Sequence, residues 1–73
     1  MICEYKHGKY TVKVYEGDYD YYAILSATDR DVFKISKGKT TYPKEHHAWR
    51  LIREICSHVN DVHIVKDNIK WNR

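Results

Sequence analysis

The segment KYTVKVYEGDYDYYAILSA, residues 9–27, decides the fold. Its first half alternates, with Tyr10, Val12 and Val14 on one side and Lys9, Thr11, Lys13 and Tyr15 on the other. That period of two is the mark of a half-buried strand. Gly17 and Asp18 then make a turn, the first through its permissive backbone and the second through a side chain that hydrogen-bonds locally. DYYAILSA, residues 20–27, is rich in aromatic and branched residues and reads as the returning strand. A turn at 17–18 sets a register in which Tyr10, Val12 and Val14 share a face with Tyr21, Ala23 and Leu25. Ala23, small and in mid-strand, leaves room on that face for a helix to come close.

The chain on either side completes an α+β unit. TDRD (28–31) is a turn, VFKIS (32–36) a third short strand whose Phe33 and Ile35 join the core face, and KGKTT a loop. Pro43 suits the first position of a helix, where its missing N–H would have no partner in any case. Tyr42 before it is held extended, at the cap. From Glu45 to about Val59 the period is helical: Ala48, Ile52, Ile55 and Val59 centre an apolar stripe flanked by Leu51, Cys56 and Trp49. His46, Arg50, Arg53 and Ser57 lie opposite, toward solvent. Asn60–Asp61 reads as the helix stop and Val62–Val65 as a last short strand; MICEY adds a strand before the hairpin, joined to it through His7–Gly8. The expected fold is an antiparallel β-meander of three to four strands packed on one α-helix, in (β)βββαβ order, as a single domain over residues 1–73.

The run from Tyr10 to Val59 resembles the βββα unit of the small YegP-like domains. The matching stretches are DYYAILSA, VFKIS and the helix through AWRLIREI. The turn TDRD stands where that family uses Asn-Gly, and the unit occurs once where the family carries it twice. The resemblance implies the fold; the family has no defined biochemical role to carry over.

Seventy-three residues sit near the lower limit for a self-sufficient core, and seven Tyr with two Trp are a dense way to recover buried area. No apolar run approaches the ~20 residues that span a bilayer, and the start lacks the apolar region of a signal peptide. The expected location is the cytoplasm, with no membrane partner. Cys3 and Cys56 then read as buried or free thiols, not as a disulfide framework. The net charge of +3 is segregated. Glu16, Asp18, Asp20, Asp29 and Asp31 precede a basic stretch with Lys34, Lys37, Lys39, Lys44, Arg50 and Arg53.

Several chemistries lack their residues. His46 and His47 lie ~100° apart on a helix and have no partner at i+4, so no metal site is expected and the histidines read as surface groups. Cys56 belongs to the apolar stripe, away from a thiolate-favouring site, and the carboxylates cluster at turns. No glycine-rich phosphate loop exists. The expectation is a non-enzymatic domain without catalytic residues or cofactors.

Two surfaces are left. One helix covers one face of a sheet, so the other, carrying Tyr15, Tyr22, Ile24 and Val32 with Lys34, stays open and calls for a cover. That cover is the N-terminal segment, a second copy in a homodimer, or another protein. Protein docking through Tyr15, Tyr22, Ile24 and Lys34 is the first reading. The setting expected from size is an accessory protein of a phage or mobile element that binds or inhibits host machinery. The alternative is nucleic-acid binding through Lys37, Lys39, His46, Arg50 and Arg53, or through the open sheet face. In outline the topology is similar to the plant AP2 and integrase arm-binding domains, but their arginine-lined sheet face is missing here.

Overall fold

Hairpin turns build most of the sheet. The computed structural model describes residues 1–28, 30–59 and 64–72. Strand β1 (Cys3–His7) turns through Gly8–Lys9 into β2 (Tyr10–Glu16), which turns through 17–19 into β3 (Asp20–Ala27). Gly8 takes φ +59, the left-handed backbone that the first position of a two-residue hairpin loop reserves for glycine. At the next turn the Gly17 N–H donates to the Asp20 carbonyl at 2.8 Å. Strand β4 (Arg30–Gly38) follows, then helix α1 (Lys44–Ser57), a 3-10 turn (Lys66–Asn68) and β5 (Ile69–Trp71). The strands lie in the order β4-β3-β2-β1-β5, every neighbouring pair antiparallel.

The register is the one the alternation requires. Val12 pairs with Leu25 and Val14 with Ala23, and these continue to Phe33 and Ile35 on β4. On the other side Tyr5 pairs with Val12 and Cys3 with Val14. Helix α1 packs over β3, β2 and β4 on this one side. Ala48, Leu51, Ile52, Ile55 and Cys56 meet Cys3, Tyr5, Val12, Val14, Tyr21, Ala23, Leu25 and Ile69 in a single core. Ala23 and Ala48 are both fully buried, the small pair that a close helix-on-sheet approach needs. No helix among the described residues is long and apolar enough to cross a membrane.

The (β)βββαβ order is the expected one, and the differences are local. The sheet has five strands, because MICEY does become β1 and a fifth strand forms at Ile69–Trp71, later than expected. Of the expected strand Val62–Val65, residues 62 and 63 lie outside the described residues, as do Asp29 of the TDRD turn and the Asn60–Asp61 stop; Ile64 and Val65 belong to no strand. Strand β4 is nine residues long, and on this edge strand Phe33 keeps 38% of its surface exposed even with its ring against His58, centroids 4.4 Å apart. His47, expected at the surface, is 6% exposed. At 100° per residue it falls beside Leu51, within the buried face. The helix also begins one position late, with Pro43 itself as the extended cap at φ −61, ψ 155.

Replacing Ala23 by Leu forces a larger side chain under the helix and should lower stability by ~1–3 kcal/mol with the fold retained. Urea denaturation checks this: a lower midpoint with an unchanged slope is expected.

Candidate functional site

The open face is ordered by cross-strand pairs. Tyr15 stands directly opposite Tyr22, and their rings stack at 5.2 Å with 17° between planes. Lys34 reaches diagonally from β4 to place its ammonium 4.7 Å from the Tyr22 centroid. Ile24 lies between Lys13 and Lys34 in the next row, which continues through Glu4 to Lys70. Tyr15, Tyr22 and Ile24 are half-buried by these neighbours alone, and Lys34 is exposed. Segment 1–5 runs beside β2 as an edge-ward strand, so it widens this face and does not cover it. Val32 is displaced by a register shift: Phe33 pairs with Leu25 and Asp31 with Ser26, leaving Val32 as the extra residue, 50% exposed, beside Ile24 in a shallow hollow of about 260 Å³. All four residues proposed from the sequence for protein contact thus share one face.

The basic set is divided. Lys37, Arg50 and Arg53 line one hollow of about 390 Å³ between the end of β4 and the exposed side of α1, together with Gly38, Thr40, His47 and Glu54. His46 instead lines a separate hollow of about 280 Å³ with Trp49, Lys66, Ile69 and Trp71. Lys39 points to Glu16, at 2.9 Å, and Lys44 reaches the other oxygen of the same carboxylate at 3.2 Å. Lys37 pairs with Glu54 at 3.2 Å. Arg53 sits over the Trp49 ring, 6.0 Å from its centroid. Among the described residues Arg50 has no ion-pair partner.

What organises the rim of this hollow is a set of groups the sequence reading missed. The Thr40 N–H donates to His47 Nε2 at 3.3 Å, and the Thr40 hydroxyl lies 3.0 Å from the same nitrogen. Nε2 is therefore the acceptor, which assigns the ring proton to Nδ1. The Tyr42 N–H donates to the Thr40 hydroxyl at 3.3 Å, and Tyr21 stacks on His47 with centroids 4.7 Å apart. Glu16 adds the ion pairs to Lys39 and Lys44, and the Lys39 N–H donates to the Tyr19 carbonyl at 3.2 Å. The β4–α1 loop is thus pinned from both ends, which fixes Lys37 and Gly38 relative to Arg50. Hydrogen bonds from Lys39 and then Lys44 hold the Glu16 carboxyl below the usual carboxylate range, and the Glu16 bond raises Lys39. The only signal of this in the sequence was the adjacency of His46 and His47 after a proline, which does not say which ring turns inward.

Both cysteines lie in the core. Cys3 and Cys56 are buried and unbonded to each other, and burial pushes the Cys3 thiol up to about 11, so it stays protonated at neutral pH. Among the described residues no three His, Cys, Asp or Glu side chains converge to hold a metal ion; His63 lies outside those residues. Searches against protein-family models, curated proteins and solved structures return no match.

His47→Ala removes the acceptor for Thr40 and the ring under Tyr21, and should cost ~1–3 kcal/mol in chemical denaturation. Glu16 binds its proton more weakly in the folded than in the unfolded state. Its contribution to stability is therefore present above the ordinary carboxyl value of 4.5 and is lost as pH falls through the depressed folded value. Carboxyl NMR titration should place Glu16 below 4.5, and Lys39→Ala should move it upward, since Lys39 is the larger cause.

Proposed function

We propose that this chain is a small non-enzymatic binding domain that docks on a protein partner through the uncovered face of its sheet. Tyr15, Tyr22, Ile24 and Lys34 stand at the centre of the contact. The observation that carries this reading is the ladder of Tyr15, Tyr22 and Lys34, aromatic and apolar area held rigid on a face that no described element crosses. Rigid tyrosines that offer apolar area with a polar tip are favoured contact groups. Lys6, Lys13, Lys34 and Lys70 share this face with Glu4, Asp20 and Asp31, and Glu4 already pairs with Lys6 at 3.2 Å, so the fitting partner has an apolar centre and a rim whose carboxylates meet Lys13, Lys34 and Lys70. An accessory or inhibitory role toward a host protein is the setting that suits a domain of this size. The YegP-like resemblance stands beside this as a proposal resting on residue pattern, and it supplies no partner.

Nucleic-acid binding is the competing reading. Lys37 and Lys39 are each engaged by a carboxylate, which leaves Arg50 and Arg53 as the main phosphate contacts and makes the footprint small.

Tyr22→Lys should leave the fold intact, as a dispersed amide spectrum would show, while it abolishes recovery of a partner from nuclease-treated host extract or dissociates a dimer. Full retention of every partner and of the oligomeric state would overturn the sheet-face reading. Capture that depends on nucleic acid, and that is lost in Arg50→Glu with Arg53→Glu, would replace it.

A further inference from the structure

The two edges of the sheet are unlike. β5 is three residues long, whereas β4 is nine and pairs with β3 alone, so its outward N–H and carbonyl groups meet no strand among the described residues. A long open edge is a template for another strand. Val32 and Phe33 are 50% and 38% exposed along it. At its far end Gly38 has open space where a side chain would be, and here the edge borders the hollow that holds Arg50 and Arg53.

The charge on this edge selects the occupant. β4 carries Arg30, Lys34 and Lys37 against Asp31, with Lys37 already paired to Glu54, and the hollow beside it adds Arg50, which has no ion-pair partner among the described residues, and Arg53. A second copy pairing β4 with β4 about residue 34 would set Asp31 against Lys37 and Lys34 against Lys34, and would leave Arg50 and Arg53 beside the edge without carboxylates. Those two guanidiniums favour an acidic strand over a second copy. We infer that the outer edge of β4 takes an extended acidic segment of a partner protein as a sixth strand. Its backbone continues the ladder, and its alternate carboxylates on the helix side reach Arg50 and Arg53. Side chains on one face of a strand recur every ~6.6 Å, so neighbouring carboxylates can address both guanidiniums, which lie three residues apart on α1. This site is separate from the tyrosine face and does not depend on it.

A nine-residue peptide alternating Thr and Glu, titrated into isotope-labelled protein at low salt, tests the assignment. Amide shifts should concentrate on residues 30–38, and affinity should fall at least tenfold in Arg50→Gln with Arg53→Gln, whose own spectra report folding. The same peptide N-methylated at alternate residues, in either phase, keeps its charge; strand addition requires that one phase lose binding. Equal binding of both methylated forms, equal binding of a Thr-Lys peptide, or no shift on β4 would each overturn the proposal. So would tighter binding of a single-stranded oligonucleotide at the same amides, which would assign the groove to nucleic acid. The edge is read by the peptide titration and Arg50→Gln with Arg53→Gln, and the sheet face by partner recovery with Tyr22→Lys, so failure here and failure of the sheet-face reading are told apart.

Discussion

A single helix covers one side of this sheet, and the rest of the molecule follows from how closely it can approach. Fully buried Ala23 and Ala48 remove side-chain volume where α1 crosses β3, so the larger Leu51, Ile52 and Ile55 interlock with Val12, Val14 and Leu25. In a chain of 73 residues the core has no second layer to draw on. It is widened instead by extending the sheet, with β1 and β5 adding Cys3, Tyr5 and Ile69 to the buried side. Each strand added for the core also adds open surface on the opposite side. The uncovered face is thus a direct consequence of how the small core was assembled.

The fold was legible wherever period and turn chemistry agreed. Residues 9–27 show strict alternation around a glycine turn, and the observed pairs Val12–Leu25 and Val14–Ala23 are the ones that alternation demands. The face of Tyr15, Tyr22, Ile24 and Lys34 was legible for the same reason, since it is the complement of the core face. Strand β5 was not: three residues are too few for a period, and what makes Ile69–Trp71 a strand is the open edge of β1, a tertiary cause. The displacement of Val32 was hidden because a register shift leaves no mark in the alternation of VFKIS. His47 was misread because a polar ring at the margin of an apolar stripe goes inward only if something meets its nitrogen. That something, the Thr40 N–H, comes from a loop whose course the sequence does not state.

Buried His47 has a consequence beyond packing. The loop from Lys39 to Pro43 joins the last meander strand to the helix, and nothing in its composition would hold it still. His47 from the helix, Glu16 from β2 and Tyr19 from the turn between β2 and β3 each take one of its groups. The fixed loop in turn sets where the end of β4 lies relative to Arg50. The geometry of the basic hollow is therefore maintained by Thr40 and His47 in its own lining and by Glu16 and Tyr19 outside it, and a buried imidazole acts here as an organiser of backbone.

The lysines that consumed much of the charge of the sequence divide by what they meet. Lys37, Lys39 and Lys44 are answered within the molecule by Glu54 and Glu16, while Lys34 lies on an aromatic ring and Arg50 has no ion-pair partner among the described residues. An ion pair at an exposed site contributes ~0–1 kcal/mol, so these pairs do little for stability and more for position. They also lower the free positive charge, which argues against a domain that holds a polyanion by counterion release alone.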